Sequence, residues 1–300
     1  MIDIIKAVMA ATKVERWPCT SNRASQLGHP CVRYLVYLRL DWDKATLPDK
    51  ILKLIFEGGD LIQGYAEDKL RAAGFKLVET EGAIKDPLFK KYNITGHIDD
   101  MIVDGDKRYP LEIKSMSPYI WKAINSIDDM LNSRQAYLRK YPAQLTLYML
   151  GHNWDEGVFY LVNKLTFEPK TIWMKLDYDY AEGLLQKAEA VNAFVDAKEY
   201  PDRIPYDEGV CGRCNFAHIC LDKQVFGKNA FIEDAELEAR IKRWMELKPA
   251  QKEYKELNEE INFYVAGREI VVGDFIVTGR KDTRGHWRKQ IRRIPGKEQE

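Results

Sequence analysis

The runs NITGHIDDMIV (residues 93–103) and RYPLEIKS (108–115) constrain the fold of this chain more than any other stretch. Both are rich in apolar and β-branched residues, and DGDK between them carries the Asp-Gly signal of a tight hairpin. Stretches of helical period lie on either side. Before the hairpin, LPDKILKLIFEGGDLIQGYAEDKLRAAGF is interrupted by Gly58 and Gly59, which predicts two helices or one kinked helix stopping at Gly74. KLVETEGAIKD predicts a strand and turn. After the hairpin come an amphipathic helix in RQAYLRKYPAQLTLYMLG, two strands in EGVFYLVNK and TFEPKTIWMKLD, and a long helix in YAEGLLQKAEAVNAFVDAKE. Residues 50–200 therefore predict an α/β fold, a mixed sheet with helices against it.

The flanks are more helical. A short helix is expected within residues 1–20 and another from about residue 30. After the turn-rich EYPDRIPYDEGV and a cysteine cluster, residues 234–267 have helical character with a break expected at Pro249. REIVVGDFIVTGR then predicts a hairpin around Gly273. The chain divides on this reading into a domain over 1–225 and a C-terminal helix-plus-hairpin extension over 226–300, ending in the basic tail KDTRGHWRKQIRRIPGKEQE.

The 300 residues are 45% apolar and 31% charged, with 46 acids against 46 bases, so any attraction to a polyanion has to come from local patches. MIDIIKAVMAATKVERW lacks the basic-then-apolar pattern of a secretory signal. No apolar run reaches the roughly 18 residues of a membrane span. A cytoplasmic protein without a membrane partner is expected.

The hairpin carries the first candidate chemistry. Side chains alternate along a strand, so Glu112 and Lys114 share a face while Ile113 points to the other. Asp99 sits on the preceding strand, across from them if the turn lies near 104–107. Two carboxylates converging there bind a hard cation such as Mg²⁺ or Mn²⁺, and the carbonyl of Ile113 adds an oxygen. A lysine beside the cation positions or deprotonates a water, which is what phosphodiester hydrolysis needs. The same E-x-K alternation also describes a solvated strand face. Downstream, Gln144 and Tyr148 stand at i and i+4 on one helix face, suited either to holding a nucleic-acid backbone or simply to a polar helix surface.

The second candidate is CGRCNFAHIC, which places Cys211, Cys214 and Cys220 within ten residues. Four soft ligands suffice for tetrahedral zinc or an iron–sulfur cube, and Cys31 or Cys19 would supply the fourth, with His218 as an alternative.

Taken in order, GHID, LEIKS and QLTLY resemble the PD-(D/E)XK nuclease superfamily, specifically its RecB-like branch. The resemblance implies a restriction-endonuclease-like core in which Asp99 and Glu112 hold metal, Lys114 assists the water, and Gln144 and Tyr148 support DNA contact. Asp100 is the fallback if the register slips by one. The branch also has an upstream helix with a Gly followed four residues on by a His or Glu ligand. Here Gly59 fits but position 63 is Gln, a neutral and weaker donor, with Glu67 or Asp60 as substitutes. Some members, among them CRISPR-associated and AddB-type nucleases, carry one cysteine before the core and three after it. By that likeness Cys31, Cys211, Cys214 and Cys220 hold a structural 4Fe–4S cluster that staples the domain ends, with zinc as the alternative. The likeness covers roughly residues 25–225.

The implied function is metal-dependent cleavage of DNA, more as an exonuclease on single strands or ends than as a site-specific endonuclease. No G-x-x-x-x-G-K-[ST] is present, so unwinding would fall to a helicase or recombination partner. The competing expectation is a nucleic-acid-binding protein whose site Gln63 has degraded. In the tail, Arg280, Lys281, Arg284, Trp287, Arg288 and Lys289 interleave basic residues with an aromatic, a composition suited to a nucleic-acid backbone with a stacked base.

Overall fold

The structure, a computed structural model, describes residues 2–78, 87–98, 100–221, 235–283 and 285–294. The chain separates into two compact units, Met1–Ala230 and Phe231–Glu300. The first is built on a five-stranded sheet ordered along β1 (Lys76–Val78), β2 (Asp100–Asp104), β3 (Lys107–Met116), β4 (Glu156–Asn163) and β5 (Pro169–Lys175). All neighbours are antiparallel except β3 and β4, which run parallel, so the sheet is mixed. The β2–β3 hairpin closes with Asp104 opposite Lys107. Gly105, first of the two turn residues, sits at φ +59°, where a type II′ turn favours glycine.

Parallel strands need a crossover, and the chain between β3 and β4 supplies it with helix α4 (Ala136–His152). The remaining long helices are α1 (Ile4–Ala11), α2 (Val32–Leu40), α3 (Lys50–Ala72), α5 (Tyr178–Ala197) and α6 (Ala235–Val265). On one face of the sheet, Leu111, Ile113, Val158 and Val162 pack under Ala66 and Leu70 of α3. On the other, Met116, Phe159, Leu161 and Ile172 pack under Leu138, Leu145 and Met149 of α4. The far side of α4 belongs to a third cluster, in which Ala143, Leu147 and Tyr148 meet Leu35 and Val36 of α2 and Leu184, Ala188 and Val191 of α5. Residues 142–149 are consequently all buried, and α4 is a central helix with two apolar sides rather than the amphipathic one its sequence suggests.

Two expected breaks are absent. Helix α3 runs unbroken through Gly58 and Gly59 from an Asp49 cap that accepts the Leu52 N–H at 2.7 Å. Glycine lowers helix stability by about 1 kcal/mol per residue without removing a hydrogen bond, so packing on β3 overrides it. Helix α6 likewise continues past Pro249, which costs a main-chain bond but leaves the i,i+4 pairs Glu236–Arg240, Glu238–Lys242 and Lys252–Glu256 in place around it.

The second unit adds an antiparallel sheet of β6 (Glu269–Val272), β7 (Phe275–Lys281) and β8 (Trp287–Arg293), with β7 in the middle. The hairpin at Gly273 is as expected, whereas the basic tail forms a strand rather than a fray. Among the described residues no helix is long and apolar enough to cross a membrane.

One close approach fixes how the N-terminal segment seats on α4. A Cβ built on Gly28 would lie 2.6 Å from the Ala143 Cβ and 2.8 Å from the Lys140 Cα, so backbone meets backbone there. Gly28→Ala should destabilise the fold by about 1–3 kcal/mol, the usual cost of overpacking. The denaturation midpoint of the purified variant measures it, and an unchanged midpoint would contradict the packing.

Candidate active site and cysteine cluster

Glu112 and Lys114 lie where alternation puts them, on the α4 side of β3, the central strand of the sheet. Glu112 is fully buried and forms an ion pair through Oε1 with Lys114 Nζ. Lys114 is partly exposed and lies 5.6 Å from the ring centroid of Tyr141. Burial pushes the Tyr141 hydroxyl up to about 12, so it stays neutral beside the ammonium. The Ile113 side chain points the other way, into the core beneath α3.

Tyr148 and Gln144 act on the segment leading into β2. Gln144 Nε2 donates to the Tyr148 hydroxyl at 2.9 Å, and that hydroxyl donates to the His97 carbonyl at 2.6 Å. Tyr148 is only 2% exposed. It therefore anchors the backbone of the GHID segment, and direct contact with a bound strand, as expected from the sequence, is not its geometry. Asp99 lies outside the described residues. Asp100 does not serve as its fallback, because it pairs with Leu111 and so shares the face opposite Glu112.

On α3, Gln63 Nε2 donates to Glu67 Oε1 at 3.1 Å, and Glu67 Oε2 lies 3.6 Å from Arg71 Nη1. Asp60 is exposed. Gly59 faces Ser115 at the end of β3, 3.5 Å from where its Cβ would be. The described contacts thus bring α3 to β3 at Gly59 and do not join Gln63 or Glu67 to Glu112. Among the described residues no three His, Cys, Asp or Glu side chains stand in a metal-holding arrangement.

The four expected cysteines line one cavity, though not in a metal-holding arrangement. Cys31, at the N-terminus of α2, and Cys211, Cys214 and Cys220 line it together with His29 and Tyr34. Local structure explains the loop: Asp207 caps the Glu208–Cys211 turn by accepting the Gly209 N–H at 2.8 Å, and Cys220 N–H donates to the Phe216 carbonyl at 2.9 Å. Phe216 is fully buried under the loop, stacked on Tyr37 at 5.3 Å and edge-on to Tyr34 at 5.7 Å. The thiols are free. Desolvation raises the Cys31 pKa and pushes Cys214 up to about 11, the neighbouring cysteines adding to both. His29 accepts the Cys31 N–H at 3.2 Å and stacks on Tyr34 at 3.9 Å. Burial, with Lys140 nearby, lowers its pKa to about 3, so the ring is neutral. His218 is exposed, and Cys19 lies apart, its thiol turned to the Ser21 carbonyl at 3.4 Å.

Sequence reasoning overlooked Tyr141. Its signal was present, since it sits three residues before Gln144 and so on an adjoining stripe of the same helix. In the second unit, Arg280 and Lys281 lie on β7 and Arg288 and Lys289 on β8, while Arg284 and the Trp287 side chain are outside the described residues.

Among solved structures, the chain is similar to the crystal structure of an alkaline exonuclease (LHK-Exo) from Laribacter hongkongensis, with 16% identity and a TM-score of 0.41 over 64% of this chain and 93% of that one. LHK-Exo in complex with dAMP gives 16% identity and a TM-score of 0.42 over 60% and 89%. The crystal structure of SSO0001 gives 16% and 0.40 over 73% and 96%. No family model and no curated protein matches the sequence.

Proposed function

We propose that this chain is a metal-dependent DNA nuclease of the PD-(D/E)XK type, working at β3 and acting on single strands or DNA ends. The observation that carries the reading is the fully buried Glu112 carboxylate paired with Lys114 on the central strand. A buried ion pair is a poor way to stabilise a fold, since well-packed apolar side chains do as well or better. Its place is therefore better explained by chemistry than by stability. The donor chemistry suits a hard divalent cation: Glu112 offers carboxylate oxygen, and the family resemblance assigns the second carboxylate to Asp99. When bound, Mg²⁺ or Mn²⁺ acidifies a water and offsets charge developing on the phosphate.

The chain's own residues do the rest. Glu112 would hold the cation in place of its Lys114 partner. Lys114 Nζ would then be placed to orient a water by a hydrogen bond, with the neutral Tyr141 ring beside it. Tyr148, steadied by Gln144, fixes the His97 backbone and with it the approach of the first carboxylate. Preference for ends and single strands follows from the RecB-like resemblance alone.

We assign the four cysteines to a structural 4Fe–4S cluster, with zinc as the alternative. The cavity that Cys31 shares with the 211–220 loop supports this, and a metal drawing the four thiols together there would close a very long loop. Protein purified without oxygen should be brown and carry about four irons per chain in the tetrahedral-thiolate pattern. Cys31→Ser should lose both the colour and thermal stability. A colourless protein with stoichiometric zinc would assign the site to zinc, and neither metal would remove the staple.

A second reading has its own observation. Gln63 is a neutral residue bonded to Glu67, and Lys114 already neutralises Glu112, as would suit a protein that binds nucleic acid without cutting it. End-labelled single- and double-stranded DNA incubated with and without Mn²⁺ separates the two. Cleavage should require the metal and fall by about a hundredfold or more in Glu112→Ala and Lys114→Ala, the usual scale for a lost acid–base or metal-holding group. DNA bound but never cut, with any metal, would favour the binding protein.

A further inference from the structure

In the basic tail, whose composition suits a nucleic-acid backbone, strand register sorts the charges. Paired residues of antiparallel strands point the same way, and Arg288 pairs with Arg280, Gln290 with Thr278, and Arg292 with Ile276. These six share one face of the sheet. The alternate residues turn to the other face, where α6 covers the middle around Val277, Gly279 and Lys289 while Lys281 and Arg293 stay exposed. There Gly279 comes so close to helix α6 that a Cβ would sit 2.2 Å from the Val265 carbonyl, and Val277 and Val265 are buried. Lys289 is on this covered side, donating to the Asn258 carbonyl at 2.9 Å, so it leaves the set of expected nucleic-acid contacts. Arg292, not singled out in the sequence, joins the open face.

That face is electrostatically uneven. Arg280 and Arg288 stand directly opposite each other, an arrangement of like charges that weakens a strand pair. Its acidic members are Glu269, at the Thr278 position of the edge strand, and Asp282, whose Oδ2 lies 3.1 Å from Arg288 Nε. Among the described residues, no carboxylate lies within ion-pair distance of Arg280 or Arg292. All three guanidiniums are exposed. Two arginines facing each other across a strand pair are stabilised by an anion that both can grip, and guanidinium forks match phosphate oxygens. Arg292 lies four residues along the strand from Arg288, about 13 Å. Thr278 and Gln290 fill the interval with hydroxyl and amide donors of the kind that contact nucleic-acid backbones. A row of this length calls for a repeating polyanion more than a single ion.

We propose that the open face of the β6–β7–β8 sheet binds the phosphodiester backbone of a nucleic acid through Arg280, Arg288 and Arg292, as a site separate from β3 and independent of cleavage. The test uses the full chain carrying Glu112→Ala, with chelator present, so that its outcome does not depend on whether β3 cuts. A fluorescein-labelled single-stranded oligonucleotide is titrated across a salt series. Arg280→Gln/Arg288→Gln/Arg292→Gln should weaken binding tenfold or more at low salt and lower the slope of log K against log[salt] by about 2. Lys289→Gln should leave the slope unchanged. Thermal stability of the triple variant should hold or rise, because the cross-strand repulsion is gone. A triple variant with unchanged affinity and slope would overturn the proposal. So would an equal loss in Lys289→Gln, or a loss confined to binding of anionic phospholipid vesicles. Should the triple variant fail to fold, Arg280→Gln alone is read against the same expectations, with about one third of the slope change.

Discussion

The arrangement of the first unit depends on an electrostatic constraint: a carboxylate with no solvent access, Glu112, has to keep a cation beside it. Taking one partner from a buried pair typically costs about 3–5 kcal/mol, because the charge left behind is neither hydrated nor matched. Lys114 two residues on meets that requirement without leaving the strand. On the proposed reading, a divalent cation would meet it as well. Phe159 and Leu161 of β4 stand beside Glu112 and Lys114, so the carboxylate sits against an apolar cluster while the lysine keeps partial access to solvent. A low local dielectric makes each nearby charge count for more than it would on the surface.

Helix α4 connects this constraint to the rest of the unit. It serves as the crossover that parallel β3 and β4 require, as one wall of the core over Glu112, and as the floor on which Gly28 and α2 rest. From it Tyr141 reaches Lys114 and Tyr148 reaches the His97 carbonyl, so the two strands of the hairpin are positioned from one rigid element. The same helix touches the lobe that carries Cys31. The cysteine loop itself is tied to the 41–46 segment, where the Thr46 N–H donates to the Asn215 carbonyl at 2.9 Å. Chain segments some 180 residues apart thus meet across a small cavity, which is where a staple has the most entropy to remove from the unfolded chain.

What was legible in the sequence was what local rules decide. DGDK fixed its own hairpin because Gly105 supplies the positive φ the turn demands, and alternation then placed Glu112 with Lys114 and against Ile113. The gathering of Cys31 with the later three, and not Cys19, was carried by spacing and family likeness. Tertiary packing decided the remainder. Gly58 and Gly59 look like a break, yet the helix runs on through them and packs on β3 further along through Ala66 and Leu70. The burial of α4 on two sides, and with it the burial of Tyr148, depends on α2 and α5, which are remote in sequence. The tail reads as a run of cations until β8 is seen paired with β7, a register that splits its cations between two faces.

The measurement that tests the central claim most directly is a crystal structure of the protein grown with Mn²⁺ and measured at a wavelength where manganese scatters anomalously. An anomalous peak beside the Glu112 carboxylate, with Lys114 Nζ displaced from its ion pair, is the predicted result. Manganese bound elsewhere with the Glu112–Lys114 pair intact would contradict it, leaving β3 with a structural ion pair and no catalytic metal.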